Sequence, residues 1–447
     1  VKTYQEFLET KRLRRMEKGF KPLWIPDFLF DFQKQLCEWA IRTGRAAIFA
    51  DCGLGKTPMQ LVWAENVVRK TNKRVLILTP LAVARQTVRE GEKFGIECLI
   101  SKQGKPAGKI TITNYERLHH FKPEDYDGVV ADESSILKNF DGKRRRQITD
   151  FVREIPYRLL CTATPAPNDF MELGTSSEAL GVMKRGQMLG MFFVNDGAET
   201  QKWSLKGHAK MRFWQWMGTW ARAVRMPSDL GFDDGVFVLP KLVMKQYEVS
   251  SVVPNGRLFC QVAETLNEQR AERKRTLQAR CEKVAELVPK DRPFIAWCHL
   301  NAEGDLLEKL IPGAVQVAGS NKDEVKEERL WAFTKGEIRV LVTKPKIASF
   351  GLNWQHCSDV SFFPSHSHEQ FYQAIRRCYR FQQERDVVCN IVTSEAERNV
   401  LSNMIRKERQ AADMYAGIVR EMGKVLKGSN GDYQLREMEM PAWLGNT

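Results

Sequence analysis

Between residues 45 and 180, short apolar runs alternate with amphipathic stretches. Residues 46–49, 75–78, 110–113, 128–131 and 158–161 are the apolar runs, and the segments between them carry helical spacing, so this part of the chain predicts a β/α alternation and a parallel sheet. The alternation returns at 294–297, 315–318, 340–342, 360–363 and 387–392, which predicts a second α/β lobe. Between the two, residues 181–240 hold Phe192, Phe193, Trp203, Phe213, Trp214, Trp216 and Trp220 among Gly, Lys and Arg. This section reads as an aromatic-rich helical insertion on lobe one. Trp216 and Trp220 are four apart and share a helical face; packing into a core is the simpler use, a wedge that stacks on bases the other. Residues 256–288, rich in Glu, Arg, Lys and Ala and bounded by Pro254 and Pro289, predict one long charged helix entering lobe two. The expected organisation is a basic segment 1–30, lobe one 31–180, insertion and crossover 181–240, lobe two 241–425 and a loose tail 426–447.

A chain of 447 residues with 43% hydrophobic and 28% charged residues can build that much core and is expected to fold rather than stay disordered. The longest uncharged stretch, 347–358, falls far short of the roughly 18 apolar residues of a membrane span. The opening residues are charged and carry no apolar stretch before a cleavage site, so neither a secretory leader nor a lipid anchor is read, and a cytoplasmic location without a membrane partner is expected. The ten cysteines form no C-x-x-C pair and are expected to be reduced core thiols. Cys298-His299, His356-Cys357 and His366-Ser367-His368 lack zinc-site spacing, so no zinc is expected. A formal charge of +14 favours a polyanionic partner without saying which. The basic clusters at residues 11–15, at 143–146 and at Arg270, Arg273, Lys274 and Arg275 are each either solvated faces or nucleic-acid contacts.

The segment Ala50-Asp51-Cys52-Gly53-Leu54-Gly55-Lys56-Thr57 follows an apolar strand and precedes a helical pattern. Small glycines there let backbone N–H groups and a helix N-terminus surround β- and γ-phosphates, with Lys56 as a point charge and Thr57 as a hydroxyl ligand for Mg²⁺. It is a P-loop of the A-x-x-G-x-G-K-T form. Such a loop needs a carboxylate for the metal and a group that polarises the attacking water, and the strand end Val129-Val130-Ala131-Asp132-Glu133 supplies both: Asp132 toward Mg²⁺, Glu133 toward the water.

Further motifs carry a family resemblance. Asp132-Glu133-Ser134-Ser135-x-x-Lys138-Asn139 resembles the D-E-x-H-x-x-K-N motif of SNF2-like superfamily 2 helicases, with Ser134-Ser135 in place of Ala-His or Gly-His. Cys161-Thr162-Ala163-Thr164-Pro165-x-x-Asn168 resembles their T-G-T-P-x-x-N motif, and Phe32-Gln33 their adenine-reading Gln element. Leu78-Thr79-Pro80-Leu81 and Ile112-Thr113-Asn114-Tyr115-Glu116 resemble the lobe-one segments that track one strand. In lobe two, residues 336–343 and the Gly351 loop, 348–353, resemble the family's strand and Gly-rich coupling loop. Gln373-Ala374-Ile375-Arg376-Arg377-Cys378-Tyr379-Arg380-Phe381-Gln382-Gln383 is similar to the Q-A-x-G-R-x-x-R-x-G-Q helix that carries arginine fingers, with Arg376 and Gln382 replacing glycines. Residues 222–241 resemble the basic crossover before lobe two. The segments Cys298-His299-Leu300-Asn301, Thr343-Lys344-Pro345 and Asn353-Trp354-Gln355-His356-Cys357 look most like phage and prophage versions.

The resemblance implies two tandem RecA-like lobes with ATP and DNA bound at the cleft. Lys56, Asp132, Glu133, Arg377 and Arg380 would be catalytic, and Gln33, Gly53, Gly55, Lys56, Thr57 and Gly351 would bind ATP. Thr57 and Asp132 would hold Mg²⁺, while Thr162, Thr164 and Gln373 would couple the sites. Thr79, Pro80, Thr113, Asn114, Lys138 and Thr343 would meet nucleic acid. The implied activity is a DNA-stimulated ATPase translocating on duplex or branched DNA, largely independent of sequence and monomeric when free. The alternative is an ATP-gated clamp that recruits a partner and hydrolyses slowly for release. Ser134-Ser135 is expected to lower coupling rather than abolish it.

Overall fold

The computed structural model describes residues 18–80, 83–101, 104–138, 142–166, 169–195, 203–250, 266–348, 352–364 and 368–427. Lobe one holds β1 (Arg45–Ala50), β2 (Arg74–Thr79), β3 (Leu99–Ile100), β4 (Ile110–Asn114), β5 (Tyr126–Asp132) and β6 (Tyr157–Thr162). A short antiparallel hairpin, β7 (Phe193–Asn195) with β8 (Trp203–Leu205), follows, and then β9 (Ala221–Val224). The main sheet has seven parallel strands in the order β3-β4-β2-β5-β6-β1-β9. Lobe two holds β10 (Leu242–Val249), β11 (Phe294–Trp297), β12 (Ala314–Val317), β13 (Val340–Thr343), β14 (Asp359–Phe362) and β15 (Val387–Ser394), six parallel strands in the order β10-β15-β14-β11-β13-β12. Two parallel sheets flanked by helices are the expected tandem RecA-like arrangement.

Strands buried on both faces read as unbroken apolar runs because alternate residues enter different cores. In β1, Ala47 and Phe49 join one cluster while Ala46, Ile48 and Ala50 join the other. Helices Asp31–Thr43, Lys56–Thr71 and Ala84–Phe94 contribute to the second cluster. The first is filled from the aromatic section: Phe192, Phe193, Phe213, Trp214, Trp216 and Trp220 are all buried, and the Trp216 and Trp220 rings lie 5.3 Å apart. Core packing is therefore how these aromatics are used, and β9, in the same section, pairs with β1 as a strand of the main sheet.

Where one long helix was expected over 256–288, the described part forms two segments, Leu266–Arg275 and Leu277–Glu286. The break is at Thr276, whose hydroxyl donates back to the Glu272 carbonyl (2.9 Å) and receives Arg280 Nε (3.1 Å). Of the basic cluster there, Arg273 pairs with Glu397 at 2.7 Å, which ties its helix to the segment after β15, while Arg275 pairs with Glu272 inside the same helix. The cluster at 11–15 and the tail from 428 lie outside the described residues.

Helix Arg398–Lys427 leaves lobe two and packs on lobe one. Ile418, Val419 and Met422 join the aromatic core, and the Tyr415 hydroxyl reaches the carbonyls of Phe49 (2.6 Å) and Val224 (3.1 Å). The lobes also meet where Arg85 pairs with Glu327 (2.5 Å) and where the Arg89 guanidinium lies 3.5 Å from the Trp331 ring centroid. Among the described residues no helix is long and apolar enough to cross a membrane.

Candidate active site

The C-terminal ends of β5, β6 and β1 lie side by side, with Asp132 opposite Cys161 and Phe49 opposite Thr162 in the register. The loop leaving β1 turns through Gly53 (φ +91°) and Gly55 (φ +74°) into helix Lys56–Thr71. Left-handed backbone is one reason for these glycines, and close approach is the other. A β-carbon on Gly55 would stand 2.3 Å from Gln33 Nε2, and one on Gly53 would stand 2.8 Å from the Phe381 amide nitrogen of lobe two. Gln33 is buried and bridges the loop to its own helix start: Nε2 donates to the Leu54 carbonyl (2.9 Å) and Oε1 accepts the Phe30 N–H (3.1 Å). Lys56 Nζ reaches across the loop to the carbonyls of Ala50 (3.0 Å) and Asp51 (3.3 Å), and Thr57 beside it is half-buried.

Asp132 is buried at the end of β5, where Gln60 Nε2 donates to its Oδ1 at 2.7 Å and the Tyr115 hydroxyl donates to its carbonyl. Burial, then the neighbouring Glu133 charge, push its carboxyl up to about 6 against the opposing pull of Gln60 and Lys56. Glu133 adopts a left-handed backbone, φ +51°, uncommon for a residue with a β-carbon and a recurrent feature of reactive sites. Its Oε2 accepts the Thr162 hydroxyl (3.4 Å), and Thr162 Oγ1 in turn accepts the Thr164 N–H (3.1 Å). Thr162 thus links the acid of one strand end to the loop of the next. Thr164 Oγ1 is buried with no hydrogen-bond partner among the described residues.

Lobe two presents helix His368–Ile375 and the turn after it. Arg377 is buried and committed to its own lobe, donating to the Gln373 carbonyl (3.0 Å), the Leu352 carbonyl (3.0 Å) and Gln373 Oε1 (3.2 Å). Arg380 Nε is buried without a partner among the described residues, and desolvation, then the nearby Arg377, bring its pKa down to about 10. The side chain that touches the phosphate loop is Arg376, whose guanidinium lies 3.1 Å from Asp51 Oδ2, while the Tyr372 hydroxyl donates to Asp51 Oδ1 at 2.5 Å. Phe381 stacks on Phe237 (4.9 Å, 27°), with Phe30 edge-on to both, and closes the other side of the loop.

The structure therefore gathers Gln33, Gly53, Gly55, Lys56, Thr57, Asp132, Glu133, Thr162, Thr164, Gln373, Arg377 and Arg380 around one cleft. Thr79, Thr113, Asn114 and Thr343 stand at the ends of β2, β4 and β13, but their side chains are buried. Thr113 donates to the Ser101 carbonyl (3.0 Å), Thr343 donates to the Val317 carbonyl (3.0 Å), and Asn114 caps the following turn by accepting the Arg117 N–H (3.0 Å). These side chains offer a strand almost no surface; Pro80 beside them is half-buried. Gly351, Asn139, Asn168 and the Lys138 side chain lie outside the described residues. Motif reading passed over Gln60 and Tyr372 and quoted Asp51 and Tyr115 inside motifs without giving either side chain the contact it makes here. For Asp51 the available signal was an acid inside a phosphate loop together with an unexplained arginine, Arg376, in a finger helix.

No family model matches the chain. It is similar to an uncharacterized ATP-dependent helicase, YqhH, of Bacillus subtilis (strain 168), at 22% identity over 482 residues that cover 94% of this chain and 85% of the relative. The likeness spans both lobes, and at that distance it is a remote homology.

Proposed function

We propose that this chain is an ATP-driven motor of the SNF2-like superfamily 2 type that tracks duplex or branched DNA with little regard to sequence. The observation that carries the reading is the juxtaposition across one cleft of the Gly53–Thr57 loop, the Asp132–Glu133 strand end and the arginine-bearing turn of lobe two. The similar Bacillus protein is named an ATP-dependent helicase, which agrees with that chemistry.

In this reading the loop N–H groups and Lys56 hold the triphosphate, and Glu133 orients the water for in-line attack. Thr57 and Asp132 fit Mg²⁺: both are hard oxygen donors, such ions take one or two protein oxygens plus substrate phosphates, and Asp132 is a buried carboxylate in need of positive charge. Bound Mg²⁺ would neutralise charge developing on the phosphates. Arg377 and Arg380 would stabilise the transferred group. Arg377 must first leave its three acceptors in lobe two, so hydrolysis depends on a swing of that side chain that bound nucleic acid can favour. Burial of six aromatics between residues 192 and 220 favours tracking over strand separation by a stacking wedge. With the threonines at the strand ends buried, contact with the DNA backbone falls to main-chain groups there and to basic side chains elsewhere, neither of which carries a base code when it meets phosphate.

The test is steady-state ATP hydrolysis without nucleic acid and with duplex, forked and single-stranded DNA and RNA, alongside Lys56→Ala and Arg377→Ala. Stimulation by duplex or forked DNA that both substitutions abolish is expected. Tight ATP-dependent DNA binding with no stimulation by any polymer would replace the motor with a clamp.

A further inference from the structure

The second residue of the phosphate loop is an acid, which a loop built to receive a polyanion has no evident use for. Its carboxylate is fully engaged: Oδ1 accepts the Cys52 N–H (2.6 Å) and the Tyr372 hydroxyl (2.5 Å), and Oδ2 faces the Arg376 guanidinium (3.1 Å). The last two partners come from lobe two, more than 300 residues along the chain. The Asp51 and Arg376 side chains are only 13% and 18% exposed, so the pair is largely withdrawn from water. The guanidinium is also flanked by the Tyr372 and Tyr379 rings, its carbon 5.1 and 5.3 Å from their centroids.

Asp51 lines a crevice of about 140 Å³ with Ala163, Thr164, Tyr372 and Tyr415, whereas Phe381 rests on Gly53. Lobe two therefore grips the loop at two points, Tyr372/Arg376 and Phe381, and Arg377 and Arg380 lie on the stretch of chain between them. The position of that stretch over the loop is set by its two ends.

We propose that Asp51 and Arg376 are positioning residues: their pairing, with Tyr372, seats the arginine-bearing turn of lobe two on the phosphate loop so that Arg377 and Arg380 come into reach of the transferred phosphoryl group. This rests on the ATPase reading given above. Arg376 has a second effect, because it neutralises a carboxylate that would otherwise repel the incoming triphosphate. The two substitutions that break the pair then differ in sign on ATP affinity, which a merely structural contact would not produce.

The experiment compares Asp51→Asn, Arg376→Gln and the double variant by DNA-stimulated ATP hydrolysis, and by energy transfer between dyes placed through unnatural amino acids at the exposed positions 70 and 309. A misplaced reacting group costs up to about 100-fold, so each single variant is expected to lose about 10- to 100-fold in kcat. KM for ATP should stay level or fall in Asp51→Asn and rise severalfold in Arg376→Gln. In the double variant KM should return to the parent value, with kcat no lower than in the worse single variant. Energy transfer should fall in all three, and Arg376→Lys should recover part of both signals. Parent-like kcat in Asp51→Asn, or losses in kcat that multiply in the double variant, would overturn the proposal. If the parent hydrolyses no ATP, the ATPase reading fails; unchanged energy transfer in both single variants then overturns the pairing on its own.

Discussion

On the lobe-one side of the cleft, each reactive group is placed by main chain. Lys56 begins a helix, Gly53 and Gly55 set the turn before it, and Asp132 ends a strand buried between neighbours. On the lobe-two side, Arg376, Arg377 and Arg380 lie within five residues, and their tasks depend on where long side chains swing. Arg377 turns into its own lobe, Arg376 crosses to Asp51, and Arg380 keeps a buried Nε with no partner among the described residues. Chemistry carried by backbone conformation is thus anchored before any ligand arrives, whereas chemistry carried by rotamers can be re-dealt among adjacent arginines. In the proposed motor that division would give recognition to lobe one and gating to lobe two, and it can be attacked from either side.

The largest effect should come from Asp132→Asn, which keeps the oxygen that accepts from Gln60 but removes the charge. The carboxyl sits at about 6 against an ordinary 3.8, so between those values the folded protein holds a proton that the unfolded chain releases. Stability must therefore fall as pH rises through that window, by about 3 kcal/mol at pH 7 if the full shift is expressed. In metal-free buffer the variant should be more stable than the parent by that order at pH 7 and equal to it near pH 4, while metal-dependent hydrolysis is lost. Parallel urea-unfolding profiles of the two proteins across that range would show that Asp132 is not the strained charge of the site.

Arg377→Ala and Arg380→Ala test the other side. Removing Arg377 strands three acceptors inside lobe two and should cost about 2 kcal/mol, in addition to the loss of hydrolysis. Arg380→Ala should lower hydrolysis with a clearly smaller loss of stability. Equal unfolding midpoints would mean that Arg377 spends little time in its lobe-two contacts, and the gating argument would lose its basis.

Gly55→Ala is a third probe, since a β-carbon there is strained at φ +74° and collides with Gln33 Nε2. A cost of roughly 1–3 kcal/mol is expected, together with loss of ATP binding measured by a fluorescent analogue. Intact binding would show that the loop is less anchored than its contacts indicate.

The same division explains what was legible from residues alone. All ten apolar runs became strands, nine of them almost wholly buried, because a strand buried on both faces has no other way to be written; β12, at a sheet edge, is half-exposed at its start. β9 and β10 were not read: β9 is four residues long with Arg222 in it, and β10 carries Lys245, Gln246 and Glu248 along a half-exposed edge. For helix Arg398–Lys427, a buried stripe tells that a helix packs but not on which lobe, so its place on the lobe-one core emerged only in three dimensions. Glycine and lysine positions in the phosphate loop were readable because each answers a local backbone demand. Arg376 was not, because its partner lies 325 residues away.

The smallest effect concerns Ser134, which occupies a position in the D-E motif where the family pattern has Ala or Gly. It is buried and its hydroxyl has no hydrogen-bond partner among the described residues, which costs about 1 kcal/mol for a desolvated group of this kind. The neighbouring Glu133 is held by its own backbone and by Thr162, without help from that hydroxyl. Ser134→Ala should then raise stability by about 1 kcal/mol in urea unfolding and leave ATP hydrolysis, with and without DNA, within twofold of the parent. A selective drop in DNA stimulation would place the Ser134 hydroxyl in the path between the sites. Lobe one would then carry a rotamer-dependent element of its own, and the contrast between an anchored half and a gating half would no longer divide cleanly at the cleft.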